Sequence, residues 1–308
     1  MRILFIKFLI ILIFFNFKIA NSEVFIKAKI NDQIITNIDV KDEKNYLLAL
    51  NPGLKNLSNE EINRYALDSL INEKIKKIEI EKRFEILVNN KMINKIISDL
   101  YLGIGLADIK EFERHLKSFD IDMDLVKNKI SVEIAWNDFI FNNYNKAILI
   151  DEDKIRVKIK ELSKKNLVEN IFLSEIIFTV KEGENLNSKL NQIKNSINEI
   201  GFGETAKIYS VSESRKNGGK IGWVFKSQLS NKILNEIEKI DIGELTDPIT
   251  TPGGFILLTI NEKKNELIQI NEDEQFKKAV KFEKNRQLTM YSTLQYKRAY
   301  NKTLINEF

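Results

Sequence analysis

Glycine and proline constrain this chain more than any other feature. Nine of its 12 glycines (positions 183, 201, 203, 218, 219, 222, 243, 253 and 254) and two of its three prolines (248 and 252) fall between residues 183 and 254. Both residues punctuate chain direction, glycine by tolerating positive φ and proline by removing a backbone donor. A chain that concentrates them in one stretch makes its tight turns there, and its flanks are left to long elements. Residues 58–165 contain glycine only at 103 and 105, and residues 255–308 contain neither type. The pattern predicts an α+β protein in which a small antiparallel sheet flanked by helices is inserted into a mainly helical, discontinuous domain.

Local signals fill in this plan. Residues 24–40 read as two short strands around Asn31 and Asp32, a hairpin signal. Ser58 with Glu61 forms a capping box, followed by Ile62, Ala66, Leu70, Ile71 and Ile75 at helical spacing. Asp108 with Glu111 opens a second helix, residues 122–145 carry a third, and Asp151 caps a fourth that runs to about Lys165. The acidic run Asp151, Glu152, Asp153 reads as a cap, not a metal site. Glu169 to Val180 is rich in β-branched and aromatic residues and reads as a buried strand. A helix from Leu186 to Ile200 stopped by Gly201, a short one at 204–208, a helix over Ser230–Ile240 and a hairpin over 245–262 complete the insertion. Asp273 to Tyr300 is a long helix with Phe276, Val280, Phe282 and Leu288, expected to return to the N-terminal helices. The expected divisions are 1–22, 23–165 completed by 272–308, 166–263, and a linker with the closing helix over 264–308.

Residues 1–22 have a basic start, an apolar run and small residues at Ala20 and Ser22, the layout of a cleaved secretory signal peptide. The alternative is a retained membrane anchor. The formal charge of +4 includes Arg2, Lys7 and Lys18, and without them 45 basic residues face 44 acidic ones. A near-neutral chain of mixed sign argues against a nucleic-acid partner, which requires a clustered basic surface. The chain has no cysteine and one histidine, His115. Disulfides, thiolate metal sites, cysteine nucleophiles and any histidine pair are excluded, and Ser210, Ser212 and Ser214 lack a histidine base for a hydrolase triad. His115 reads as a residue on the exposed side of its helix.

The stretches "ETAKIYSVSESRKNGGKIGWV" and "IDIGELTDPITTPGGFILLTI" resemble the parvulin family of peptidyl-prolyl isomerases, and the surrounding plan is similar to the SurA-like periplasmic chaperones. Under this resemblance Gly218 and Gly219 turn the chain from a loop into a strand, and Gly222 allows close backbone approach. A phosphate cradle is excluded because these glycines precede a strand instead of opening a helix.

The resemblance implies a proline pocket at Ile221, Leu229 and Ile233, with ordinary core packing as the alternative. It also exposes a departure. Glu175 and Ile256 stand where the family carries histidines, while Ser212 and Thr251 keep hydroxyls at the remaining polar positions. Glu175, Ser212 and Thr251 are the candidate catalytic residues. The alternatives for Glu175 are hydrogen bonding to Ser212 or Tyr209, or exposure to solvent. Isomerase activity is accordingly expected to be weak or absent. What the resemblance implies is a periplasmic chaperone for unfolded secreted or outer-membrane polypeptides, with no metal, nucleotide or other cofactor and with membrane contact only during export. An active isomerase is the alternative.

Overall fold

The computed structural model describes residues 23–86, 90–163, 168–180, 183–266 and 271–308. The expected signal peptide over 1–22 lies outside the described residues. Strands β1 (Ile26–Ile30) and β2 (Gln33–Thr36) form the anticipated antiparallel hairpin. The extended segment stops at Thr36, short of Val40. The Thr36 hydroxyl accepts the Asp39 N–H and the Asp39 carboxylate accepts the Thr36 N–H at 2.7 Å. That capping box starts helix α1 (Asn37–Leu50), so a local polar signal overrides the apparent strand pattern of residues 37–40.

A short 3-10 turn (Pro52–Asn56) leads to α2 (Asn59–Glu81), opened by the Ser58–Glu61 capping box. Helix α3 (Asn90–Gly103), which the sequence reading does not separate, packs Ile93 and Ile97 against Phe112 and Leu116 of α4 (Ile109–Lys117) and Val126 and Ile130 of α5 (Met123–Tyr144). Asp151 accepts the Lys154 N–H at 2.9 Å and so caps α6 (Glu152–Ser163). His115 is not a surface residue. It is half-buried, its Nε2 is 2.7 Å from the Ala49 carbonyl oxygen, and its ring packs on Phe119, so it ties α4 to the end of α1.

The inserted domain comprises β3 (Val168–Phe178), α7 (Leu186–Tyr209), β4 (Lys220–Phe225), α8 (Asn231–Ile237), β5 (Ile249–Thr251) and β6 (Gly254–Glu266). Its sheet is antiparallel with order β4-β3-β6-β5. Alternation along β3 sends Ile176 and Phe178 to one face, where Ile193 and Ala206 of α7 cover them. Ile171 and Leu173 go to the other face, with Leu258, Ile260 and Ile237 of α8. Helix α7 kinks at Gly201, where φ is 83°.

The chain then returns to the helical module through α9 (Glu272–Asn301). Trp136 of α5, buried at 1% exposure, donates from Nε1 to Ser292 of α9 at 2.8 Å. Tyr144 stacks on Tyr291 at 4.7 Å and donates to Gln295 at 2.6 Å. Phe282 departs from the expected buried stripe and lies exposed. The last residues form a further strand, β7 (Ile305–Glu307), which pairs with β1 and gives the sheet order β2-β1-β7. Strands β1 and β2 from before the insertion and β7 from after it thus share one sheet of the helical module. No described helix is long and apolar enough to cross a membrane.

Candidate functional site

Two places in the molecule bring polar groups together on an apolar background. The first is in the inserted sheet. Glu175 sits on β3 opposite Leu258 of β6, on the face shared with Ile171 and Leu173. Its Oε1 accepts the Ser212 hydroxyl at 2.6 Å and the Ser214 hydroxyl at 2.8 Å. Both serines belong to the turn between α7 and β4, where Ser212 caps the 3-10 segment Glu213–Asn217. Ser210, just before them, accepts the Ile177 N–H at 3.0 Å, and the Val211 N–H reaches the Ile177 carbonyl at 2.7 Å, so the turn is stitched to β3. Burial pushes the Glu175 carboxyl above its ordinary range, and the two serine hydrogen bonds offset this only in part.

Of the sequence-predicted residues, Glu175 and Ser212 therefore meet, and Ser214 joins them. The signal for Ser214 is its place two residues after Ser212, in the first turn of the 3-10 segment that Ser212 caps, where the two hydroxyls are 3.0 Å apart and reach Glu175 together. Thr251 is elsewhere: it donates to the Gly254 carbonyl oxygen at 3.0 Å and closes the β5–β6 hairpin. That hairpin tip lies against α9, where a Cβ added at Gly253 would come within 3.4 Å of Thr293. Ile221, Leu229 and Ile233 are half-buried and pack together against the core of Ile171, Leu173 and Leu258. Ile221 is the extra residue of a β-bulge between the Leu173–Gly222 and Ser174–Lys220 pairs.

Gly218 and Gly219 both take the positive φ expected of them at the turn, 65° and 76°, but the close backbone approach expected at Gly222 is made by Gly219. Gly218 ends the 3-10 segment in the left-handed region, at φ 65°. Close approach belongs to Gly219, where an added Cβ would lie 2.3 Å from the Glu175 carbonyl oxygen. Gly222 has open space around it and is required instead by its φ of 99° at the bulge.

Chemically, this face offers an apolar surface and one perturbed carboxyl. Rotation about a prolyl amide makes and breaks no covalent bond and is opposed by a barrier of ~18–20 kcal/mol. A site lowers it by holding the ring in a water-poor pocket and supporting the twisted amide with a polar group. Here the Ser212 and Thr251 hydroxyl protons are already committed to partners within the protein. Glu175 is the polar group left with an unusual proton affinity.

The second place is a cleft of about 1370 Å³ between the helical module and the back of the inserted domain. One wall carries Tyr46, Leu50, Leu100, Ile104 and Tyr65, and the other carries Val180, Ile208 and Tyr209. The Tyr65 and Tyr209 hydroxyls are 2.5 Å apart across the junction, beside Leu54, Leu57 and Ile62 packed on Ile200 and Ile208. The floor is ionic. Lys129 contacts Glu43 at 2.6 Å and also Glu73. Burial alone would lower the Lys129 ammonium, yet the two carboxylates outweigh it and its pKa is raised.

Glu133 accepts from Lys76 at 2.7 Å and forms an ion pair with Arg215 of the inserted domain at 3.3 Å. Burial would raise its carboxyl, but Lys76 and Arg215 hold it down at about 2. A carboxylate depressed in the folded state contributes stability above its unfolded pKa, and that contribution disappears as pH falls through the folded value. Against the ordinary value of 4.5, the window is pH 4.5 to 2. We expect Glu133→Gln to remove roughly 2 kcal/mol of stability at neutral pH, allowing for solvent at the rim, and to flatten the acid limb. Urea midpoints measured from pH 7 to pH 2 check this, and parallel acid limbs for the two proteins would refute it. Among the described residues no group of three or more histidine or acidic side chains is placed to hold a metal.

Residues 171–262 match the family described as "Rotamase: PPIC-type PPIASE domain". The chain is 23% identical over 221 residues to the chaperone SurA of Pseudomonas putida, covering 69% of this chain and 51% of that protein. It is 22% identical over 211 residues to the chaperone SurA of Pseudomonas aeruginosa, covering 66% and 50%. The chain spans about half the length of the curated relatives it matches. Among solved structures, it is similar to one described under the SurA-like chaperones PEB4 and Cj1289 of Campylobacter jejuni, with 17% identity, 92% and 98% coverage and a TM-score of 0.35.

Proposed function

We propose that this SurA-like protein with one parvulin-type domain is a periplasmic chaperone that captures unfolded segments of secreted or outer-membrane proteins, and that its parvulin-type domain contributes mainly as a binding surface. The observation that carries this reading is the cleft of about 1370 Å³, walled by tyrosine and aliphatic side chains from both modules and floored by paired charges. Tyrosine and leucine walls accept apolar side chains of many shapes, each stabilised by about 1.5–3 kcal/mol when fully buried. Paired charges on the floor leave room for polar groups of an extended chain without leaving a lone buried ion. Capture of this kind is reversible and tolerant of sequence.

The test is suppression of aggregation of an unfolded outer-membrane protein, compared for wild type, Ile104→Lys and Val180→Lys, one change on each wall. A charge in place of an apolar contact is expected to weaken capture about tenfold. Full suppression by both variants would remove the cleft from the reading.

An active isomerase is the second reading, supported by the perturbed Glu175 carboxyl on the same sheet face as Ile221, Leu229 and Ile233. We expect the wild type to leave the cis-to-trans rate of a short proline peptide almost unchanged. Acceleration that Ile221→Trp abolishes would establish catalysis without histidines and displace the binding-only role of this domain.

A further inference from the structure

The two polar sites share one short piece of chain. The turn at Ser212–Gly219 presents Ser212 and Ser214 to Glu175 on one side. On its other side Glu213, Arg215, Lys216 and Gly218 line the cleft. Its backbone is closed by three successive hydrogen bonds: Arg215 N–H to Ser212 carbonyl at 3.1 Å, Gly218 N–H to Arg215 carbonyl at 3.0 Å, and Gly219 N–H to Ser214 carbonyl at 2.9 Å. A fourth, from the Glu175 N–H to the Gly219 carbonyl at 2.8 Å, fixes it to β3. A segment closed in this way moves as a unit, so a force on Arg215 is felt at Ser214.

Arg215 is anchored to the other module. Its guanidinium lies 3.3 Å from Glu133, which Lys76 holds at 2.7 Å and 3.0 Å. The same turn touches α7, where a Cβ added at Gly218 would lie 3.1 Å from the Gly203 Cα, and the next residue, Glu204, packs on Gly53 of the helical module. The groups that face Glu175 are the two serine hydroxyls from the turn, the Gly219 backbone and Leu258 of β6. The charged residues of the turn pair elsewhere, Glu213 with Lys216 and Arg215 with Glu133. No charged side chain among the described residues contributes to the Glu175 shift.

We propose that Arg215 is a positioning residue that couples the cleft to the parvulin-type site: its pair with Glu133 holds the turn where Ser212 and Ser214 both donate to Glu175. A polypeptide entering the cleft competes for Arg215 and Glu133, releases the turn and loosens those two hydrogen bonds. Glu175 then loses the donors that favour its charged form and takes up a proton more readily. This regulation rests on the reading of the cleft as the client site, whereas the Arg215–Glu175 link itself does not.

The experiment is a carbon-13 NMR titration of the full protein labelled at the glutamate side-chain carboxyl, with the Glu175 signal assigned by its loss in Glu175→Gln. Arg215→Ala and Glu133→Gln, two independent ways to break the same pair, are expected to raise the Glu175 midpoint by about one pH unit. Arg215→Lys is expected to restore part of the shift, which a merely destabilised turn would not do. A Glu175 midpoint that is the same in wild type and both variants overturns the link. Adding an unfolded peptide of alternating tyrosine and leucine to the wild type is expected to move the midpoint in the same direction. If that peptide binds without moving it, regulation by cleft occupancy is overturned. If the peptide does not bind, the client reading fails and with it the regulation, while the variants still decide the Arg215–Glu175 link.

Discussion

Lys129→Met is expected to lower the stability of the folded protein by about 3–5 kcal/mol, the cost of leaving a buried carboxylate without its partner. The side chains of Lys129 and Glu43 are 9% and 1% exposed and lie 2.6 Å apart. Ser69 donates to the other oxygen of Glu43 at 2.6 Å, which is too little to solvate a full charge alone. Glu73, the second partner of Lys129, is 30% exposed and remains hydrated when the ammonium is gone. The double variant Lys129→Met, Glu43→Leu is therefore expected to recover most of the loss, because replacing both members of a buried pair by apolar groups is often nearly neutral. Urea denaturation of the three proteins at pH 7 measures both quantities. Equal stability of Lys129→Met and wild type would mean that water reaches the cleft floor freely and that the pair contributes nothing.

The second large effect is expected at the joint between the N-terminal helices and the returning C-terminal helix. Trp136→Ala removes the largest fully buried side chain, in the cluster with Ile80, Val132, Phe139 and Ile140, and is expected to cost about 3–5 kcal/mol. Trp136→Phe keeps most of the packing and withdraws only the 2.8 Å donor to Ser292, for a loss of about 1 kcal/mol. The contrast between the two, read from chemical denaturation, separates packing from hydrogen bonding. Losses of similar size in the two variants would show that the indole N–H, not its volume, secures α9. Because α9 completes the helical module around the inserted domain, we also expect Trp136→Ala to weaken capture of unfolded polypeptides more than it alters the parvulin-type sheet.

Much of the architecture was legible because its causes are local. Glycine at 201 ends one helical run and starts the next, since an L side chain is strained at a φ of 83°. Ser58 and Glu61 mark a helix start three residues apart, and the same logic at Thr36 and Asp39 identifies α1 once the capping signal is weighed above the alternating pattern. Helix α3 was less legible. Gly103 and Gly105 mark its far end, but no glycine or proline lies between Glu81 and Asn90, so nothing in the residue types divides it from α2 and its packing on α4 and α5 identifies it. Strand β7 is three residues long, too short for periodicity to show, and exists because β1 offers it an edge.

By itself the sequence determined which stretch turns tightly, where the helices after Ser58, Asp108 and Asp151 begin, that no cysteine or histidine-pair chemistry is available, and that Glu175 lies on a strand of the inserted sheet. These follow from steric limits on φ, from side chains that cap a backbone within one turn, and from the β-branched and aromatic residues of a strand, all of which act over a few residues. Tertiary structure alone decided that Glu175 meets Ser214 as well as Ser212 across 37 and 39 residues, and that Thr251 is spent on its own hairpin. It likewise decided that His115 serves as a joint, and that Arg215 crosses to Glu133 while Lys129 sits between Glu43 and Glu73. In a chain that is 30% charged, a lysine or glutamate reads the same whether water or a partner surrounds it. The difference lies in desolvation, which is set only when distant elements dock and exclude the solvent between them.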